Sequence, residues 1–151
     1  MSIRTRVTRT AAGAFVGIAI GVGAYTFIYA KGASYLTNDS ASCANCHVMQ
    51  GVYDSWTRSS HHAAAGCNDC HTPPGLVARY ASKARDGFFD SVAFTSGRFP
   101  VQIRMSARSV EITERACRKC HAAVLQSIDR LGGGRNKLTC IGCHRGVGHS
   151  T

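Results

Sequence analysis

Eight cysteines in this sequence form four pairs of identical spacing, and each pair is followed directly by a histidine. The four copies of this Cys-x-x-Cys-His pattern run from Cys43 to His47, Cys67 to His71, Cys117 to His121 and Cys140 to His144. Two cysteines three residues apart can lie on one face of a helical turn and form thioethers with the two vinyl groups of a porphyrin. The next residue then offers an imidazole to the iron. The pattern predicts four covalently bound haem c groups, attached through Cys43, Cys46, Cys67, Cys70, Cys117, Cys120, Cys140 and Cys143.

Structural zinc and disulfide bonds are the other common uses of paired cysteines, and both explain less of the pattern. Zinc does not require a histidine directly after the second cysteine, and a disulfide framework requires no histidine at all. Every pair in this chain nevertheless has that histidine. The four motifs therefore favour haem attachment.

The number of histidines limits how the four irons can be ligated. Four irons have eight axial positions, and the chain has seven histidines, which are His47, His61, His62, His71, His121, His144 and His149. His61 and His62 are adjacent and point in different directions, so we expect only one of them to serve. Two haems can then have two histidine ligands each, and two cannot. For these two the possibilities are Met49, a group from another protein, water, or an open site where substrate chemistry could occur.

The length of the chain predicts a small domain whose interior is largely porphyrin. Beyond Lys31, about 120 of the 151 residues remain to enclose four haems, so the covalent links act as staples for a small scaffold. We predict a mainly α, haem-dominated fold with one N-terminal transmembrane helix and little or no sheet. Residues 1–31 are predicted to form a cytoplasmic N-terminus and membrane anchor, and residues 32–151 a tetrahaem domain.

The formal net charge of +10 would ordinarily raise nucleic acid as a partner. Four haems, however, bring eight propionate carboxylates, and arginine is their natural bidentate partner. Candidate partners are Arg79, Arg98, Arg104 and Arg115. No helix-turn-helix, zinc finger or aromatic-basic platform is visible in the sequence. We therefore interpret the basic excess as internal neutralisation and expect no nucleic-acid partner.

Residues 11–30 form an uncharged stretch of twenty residues, about 30 Å long as a helix, which matches the hydrocarbon core of a bilayer. A cleaved signal peptide is the alternative, but the stretch is longer than the apolar region of such signals. Arginines precede it, and residues 32–57 contain neither lysine nor arginine. The positive-inside rule then predicts a single-pass anchor in the cytoplasmic (inner) membrane with the N-terminus inside. Thioether attachment of haem is expected on the opposite side.

Gly13, Gly17 and Gly21 recur at four-residue spacing within this stretch and so share one helix face. Small residues on one face let a second helix approach closely, which predicts self-association or contact with a partner helix. Glycine is also common in membrane helices for no such reason. Both interpretations remain open on the sequence alone.

A second helix is predicted between the second and third motifs, where residues 76–92 carry apolar side chains at every fourth position. The opposite face carries Arg79, Lys83, Asp86 and Asp90. These charges could simply be solvated while the apolar face covers haem, which the pattern alone favours. They could instead border a quinol site, with Lys83 and Asp90 as polar contacts and Asp90 as a proton acceptor. A further helix, over residues 111–131, is predicted to carry the third motif.

The two ends of the haem-bearing region resemble the NapC/NirT family, and within it the quinol-oxidising membrane subunits of cytochrome c nitrite reductases. The first motif extends to Met49 and is followed by Tyr53, Trp56 and Ser60-His61. The fourth continues as Cys140-x-x-Cys143-His144-Arg145-x-Val147-Gly148-His149. The resemblance covers essentially the whole chain and is weakest over residues 96–110.

This resemblance implies a set of axial ligands. The first haem would be ligated by Met49, with His47 as the alternative. The second would take His71 and His149, and the third His121 with His61, for which His62 is the alternative. The fourth would combine His144 with a lysine from the catalytic subunit.

The resemblance also implies a function. Menaquinol from the membrane pool would be oxidised beside the first haem, near Asp90 and Lys83, and a periplasmic cytochrome c nitrite reductase catalytic subunit would receive the electrons. Nitrite reduction itself would belong to that partner. Two alternatives remain: a hub that feeds several periplasmic reductases, and a small enzyme acting at an open haem.

Overall fold

The structure is a computed structural model, and it describes residues 2–131 and 139–149. Within these residues the chain is helical and contains no strand, which confirms the predicted mainly α fold. The α-helices are α1 (Ile3–Tyr29), α2 (Gln50–Thr57), α3 (Cys67–His71), α4 (Leu76–Thr95), α5 (Ala107–Cys120), α6 (Ala122–Leu131) and α7 (Cys140–Cys143). Short 3-10 helices occupy Gly32–Leu36, Ser40–Asn45 and His47–Met49.

The chain divides into two compact units, Met1–Thr37 and Asn38–Thr151. The first unit contains α1, the one described helix that is long and apolar enough to cross a membrane. Its 27 residues span about 40 Å, so the helix extends beyond the uncharged stretch and includes the arginines before it. Large apolar side chains such as Phe15 and Ile18 are exposed on its surface. A helix that presents apolar side chains all round suits a lipid environment.

The second unit carries all four motifs on short helical segments. The first motif lies in the 3-10 helices, the second forms α3, the third ends α5 and the fourth forms α7. Each helical turn brings the two cysteines of a motif toward one side, as thioether attachment requires.

The third motif interrupts the helix that carries it, so the expectation of one continuous helix over residues 111–131 was wrong. Ser106 caps the start of α5 by accepting a hydrogen bond from the Ser109 amide at 3.2 Å. At His121 the backbone leaves the helical conformation (φ −102°, ψ 24°), and α6 begins at the next residue. The motif histidine therefore lies at a break between two helices.

Apolar side chains do not form a protein core in the described part of the second unit. Its only buried residues are Ser40, at 8% exposure, and Ser82, at 0%. A folded domain of this size ordinarily buries aliphatic and aromatic side chains. Packing between side chains therefore does not account for the fold, and a haem-dominated interior does.

Candidate haem and quinol sites

Motifs that follow one another along the chain are also neighbours in space. The 3-10 helix of the first motif packs against α3, α3 packs against α5, and α5 packs against α7. The electrostatics of the free thiols agree with this order. Burial raises the pKa of Cys70 in the second motif, and the nearby Cys117 of the third motif raises it further. Groups attached at successive motifs are thus held side by side in one series.

In the part of the chain that the structure describes, three hydrogen bonds from motif amides link successive motifs. The amide of Cys67 donates to Ser40 Oγ at 3.1 Å, which links the second motif to the first. The amide of Cys140 donates to Glu114 Oε1 at 2.9 Å, and that of Ile141 to Glu114 Oε2 at 3.4 Å, which links the fourth motif to the third. Sequence reasoning missed both Ser40 and Glu114. The signal that could have found them is their common position, three residues before the first cysteine of a motif.

His71 and His149 face each other across a gap that fits an iron atom. An imidazole nitrogen binds a metal at about 2 Å and the ring centre lies about 1 Å further, so imidazoles on opposite faces of one iron have centroids about 6 Å apart. The centroids of His71 and His149 are 6.0 Å apart and the planes differ by 17°. His149 Nδ1 is buried and has no hydrogen-bond partner among the described residues. The pair therefore suits a haem.

His61 and His121 form a second facing pair, with centroids 6.1 Å apart and planes 65° apart. His61 Nδ1 lies 3.2 Å from the carbonyl oxygen of Val147 and 3.3 Å from Ser60 Oγ. A hydrogen bond from Nδ1–H to that carbonyl leaves Nε2 unprotonated and free to bind metal, as in most metal-ligating histidines. Val147 belongs to the signature that follows the fourth motif, but its contact with His61 could not be predicted from that signature.

His62 occupies a different environment. Its ring packs edge-on against Trp56, with centroids 4.6 Å apart, and Trp56 Nε1 donates a hydrogen bond to the Ala65 carbonyl at 3.1 Å. The two adjacent histidines thus have separate contacts, His61 with His121 and His62 with Trp56.

His71 has a lowered pKa. Desolvation by the surrounding protein atoms lowers the pKa of His71, and the nearby His149 lowers it further, although the residue as a whole is exposed. Both effects favour the neutral imidazole, which is the form that binds iron.

Among the described residues, the two facing histidine pairs do not include the remaining predicted ligands His47, Met49 and His144. His47 is exposed and Met49 is half-buried, and both lie in one 3-10 turn after the first motif. His144 directly follows α7 and is exposed.

Lys83 and Asp90 lie seven residues apart on α4, which puts them about 10 Å apart along the same helix face. Burial lowers the pKa of Lys83 and so does Arg79, while the Cys43 thiolate would raise it, so Lys83 lies close to the first motif. Burial raises the pKa of Asp90, and the Asp86 carboxylate one turn earlier raises it further.

Asp86 was named only as part of the charged face, and the structure gives it defined contacts. Its carboxylate accepts hydrogen bonds from Ser82 Oγ at 3.1 Å and from Arg85 Nη1 at 3.0 Å. Because Ser82 is fully buried, this bond holds the Asp86 carboxylate in place. Asp86 therefore presents a fixed negative charge toward Asp90.

Arg79 gives a further test of whether the residues fit haem. Its Nη1 donates to Asn38 Oδ1 at 3.3 Å, but its Nε is buried and has no hydrogen-bond partner among the described residues. A buried guanidinium nitrogen in this state suits a carboxylate acceptor, and a haem propionate is such an acceptor.

The described residues show four Cys-x-x-Cys-His turns in series, two histidine pairs at iron spacing and almost no side-chain core. These features define a multihaem c-type cytochrome with four covalently bound haem c groups. Comparison with known proteins narrows the class. The sequence model of the NapC/NirT cytochrome c family, N-terminal region, matches residues 5–151, and the chain belongs to that family.

Two relatives and one solved structure are especially similar. The chain is 38% identical over 142 residues to the cytochrome c-type protein NrfH of Wolinella succinogenes, covering 87% of this chain and 80% of the relative. It is 32% identical over 133 residues to the cytochrome c nitrite reductase subunit NrfH of Nitratidesulfovibrio vulgaris, covering 88% and 80%. The crystal structure of a cytochrome c nitrite reductase NrfHA complex bound to the HQNO inhibitor matches with a TM-score of 0.63 at 28% identity, covering 90% of this chain and 86% of that chain.

Proposed function

We propose that this protein is a membrane-anchored tetrahaem cytochrome that oxidises menaquinol and delivers the electrons to a cytochrome c nitrite reductase catalytic subunit. The observation that carries the proposal is the unbroken series of neighbouring motifs, from the first motif beside Lys83 to the fourth at α7. This series of haem motifs would connect an electron donor at one end with an electron acceptor at the other. The similarity to nitrite reductase subunits supplies the kind of acceptor.

The axial ligands follow from the pairs already described. His71 with His149 and His61 with His121 would hold the second and third haems. Met49 would ligate the first, with His47 as the alternative, and exposed His144 would ligate the fourth and leave its other side to a lysine of the partner. When bound, the four haems supply one-electron oxidation and reduction. His61 is favoured over His62 because its Nδ1 already has an acceptor at Val147.

Asp90 and Lys83 would handle the protons of quinol oxidation, in which the quinol loses two electrons and two protons. A carboxylate with a raised pKa is a better proton acceptor than an ordinary aspartate, because it holds the proton more firmly. Lys83, with its lowered pKa and its place beside the first motif, can donate a hydrogen bond to a quinol oxygen.

Asp90→Asn tests this site by removing the proton acceptor while preserving size. We expect a menaquinol analogue to reduce the haems of this variant more slowly than those of the wild type in a stopped-flow experiment. Mass spectrometry should show that all four haems are still attached. Asp54→Asn is the matched control, because Asp54 lies on α2 and accepts its hydrogen bond from Gln50. Equal kinetics for Asp90→Asn and the wild type would remove Asp90 from the mechanism.

The membrane arrangement is also proposed. The arginines at the start of α1, and the absence of lysine and arginine over residues 32–57, favour a cytoplasmic N-terminus and a periplasmic haem domain. Reporter fusions at each end would test this orientation. Activity of a cytoplasmic reporter fused after the haem domain would contradict it.

Self-association through the glycine face of α1 is the remaining part of the proposal. A Cβ built at Gly13, Gly17 or Gly21 meets nothing within 4 Å, so each position is open to a neighbouring helix. Replacing Gly17 with isoleucine should weaken cross-linking between copies in the membrane. A Gly51→Ala variant, on α2 and with an equally open position, serves as the control.

Copurification distinguishes a dedicated subunit from a hub. A dedicated subunit should retain one large multihaem protein through detergent extraction, whereas a hub should be recovered alone. Recovery without a partner, together with haem reduction by quinol, would favour the hub. Nitrite turnover by the isolated protein would instead favour a small haem enzyme.

A further inference from the structure

Two residues at equivalent positions make equivalent hydrogen bonds in the two halves of the haem-bearing unit. Ser40 stands three residues before Cys43, and Glu114 three residues before Cys117. Each side chain accepts a hydrogen bond from the first cysteine amide of the next motif along the chain, at 3.1 Å for Cys67 and 2.9 Å for Cys140. The first and second motifs are therefore joined in the same way as the third and fourth.

The size of the residue that precedes each even-numbered motif varies with the length of the side chain that accepts the hydrogen bond. Gly66 precedes Cys67, and a Cβ at Gly66 would lie 3.0 Å from Ser40 Oγ. The short serine can reach the Cys67 amide because glycine permits this close approach. In the other half Thr139 precedes Cys140, and the longer Glu114 makes the bond. A short acceptor is thus paired with a small neighbour, and a long acceptor with a larger one.

Both accepting side chains are held by their surroundings. Ser40 is 8% exposed, which leaves its hydroxyl little freedom. The Glu114 side chain is 17% exposed, and Arg118 Nε lies 3.4 Å from its Oε1. Burial raises the pKa of Glu114, but the hydrogen bonds from the amides of Cys140 and Ile141 and the charge of Arg118 lower it, so the carboxylate is ionised at neutral pH.

We propose that Ser40 and Glu114 are positioning residues that set the placement of each even-numbered haem motif against the odd-numbered motif before it. Each bond fixes the amide of the cysteine that carries a thioether, so a change in the bond moves the attached haem relative to its neighbour. Each bond thus sets the geometry between one pair of neighbouring haems within the series, the first with the second and the third with the fourth. This inference rests on haem attachment and not on the identity of the electron donor or acceptor.

Substitutions that remove or keep the acceptor test the inference. Ser40→Ala and Glu114→Ala remove it, whereas Ser40→Thr keeps a hydroxyl and Glu114→Gln keeps a carbonyl oxygen. Ser91→Ala and Glu111→Ala are the matched controls. Ser91 bonds only to the Gly87 carbonyl of its own helix in the described contacts, and Glu111 lies one turn before Glu114 and pairs with exposed Arg115.

Soret circular dichroism of the full-length protein is the measurement, because coupling between neighbouring haems depends on their distance and orientation. We expect each alanine variant to reduce the haem-coupling signal, the two losses to add in the double variant, and Ser40→Thr and Glu114→Gln to restore it. Peptide mass mapping reports haem at each motif. Loss of haem at the second motif alone in Ser40→Ala, or at the fourth alone in Glu114→Ala, also supports the proposal.

Three outcomes would overturn it. Unchanged dichroism with four haems in both alanine variants would show that the bonds do not set the placement. Equal loss from Glu114→Gln and Glu114→Ala would show that the acceptor oxygen is not what matters. Disturbance at all four motifs in either alanine variant would indicate general misfolding. Since none of these readouts uses quinol or nitrite, failure of the proposed function would be seen separately.

Discussion

The choice between His61 and His62 is the most direct test of the ligand geometry. Replacing His61 with alanine should remove one of the two imidazoles that face each other at 6.1 Å and leave His121 as the one internal ligand of the haem proposed for this pair. An iron that loses one strong axial ligand becomes high-spin. One haem in four is affected, so the high-spin fraction should rise by about a quarter of the total haem.

His62→Ala is the control, because it also replaces a histidine with alanine and lies one residue away. It removes an edge contact with Trp56, which is worth about 0.5–1.5 kcal/mol of stability for an aromatic pair, and it removes no facing imidazole. We therefore expect slightly lower thermal stability and an unchanged spin state.

Absorption and electron paramagnetic resonance spectra of the oxidised protein would measure the high-spin fraction, with total haem determined separately. Added imidazole should return the His61→Ala protein to the low-spin state, because it fills the vacated position without requiring any change in fold. The reasoning would be refuted if His62→Ala raised the high-spin fraction and His61→Ala did not.

Three further predictions follow from distances and charges. His149→Ala should raise the high-spin fraction by about another quarter, additively with His61→Ala, because the described contacts of the His149 ring are with His71 and not with the His61–His121 pair. A non-additive double variant in the same spectra would contradict separate sites. The nearly parallel His71 and His149 planes, at 17°, should give a more rhombic low-spin resonance signal than the 65° pair, and loss of that signal in His149→Ala would check the assignment. Glu114 has a folded pKa below its ordinary 4.5, so its contribution to stability is present above that pH and is lost as the pH falls through the folded value. In Glu114→Gln the loss of stability on going from neutral to acid pH should be smaller by about 1 kcal/mol, as measured by the melting temperature across pH. Glu111→Gln should have a smaller effect.

The local features of this protein follow from short stretches of sequence. A thioether motif needs only five consecutive residues, so all four attachment sites could be predicted from spacing. The apolar stretch of α1 and the four-residue repeat of α4 are equally local, and both helices formed as expected. Only the break at His121 was missed, because motif geometry there interrupts a favourable helical pattern.

Contacts between distant segments required the tertiary structure. The count of seven histidines limited the ligand sets, but adjacent His61 and His62 are chemically identical in the sequence. What separates them is the Val147 carbonyl, 86 residues away, which reaches the Nδ1 of His61, whereas Trp56 packs on His62. The links from Ser40 to Cys67 and from Glu114 to Cys140 are likewise nonlocal, spanning 27 and 26 residues. Covalent attachment depends on neighbours along the chain and was therefore determined by the sequence alone, while facing ligands and matched motif pairs depend on how the backbone folds back on itself.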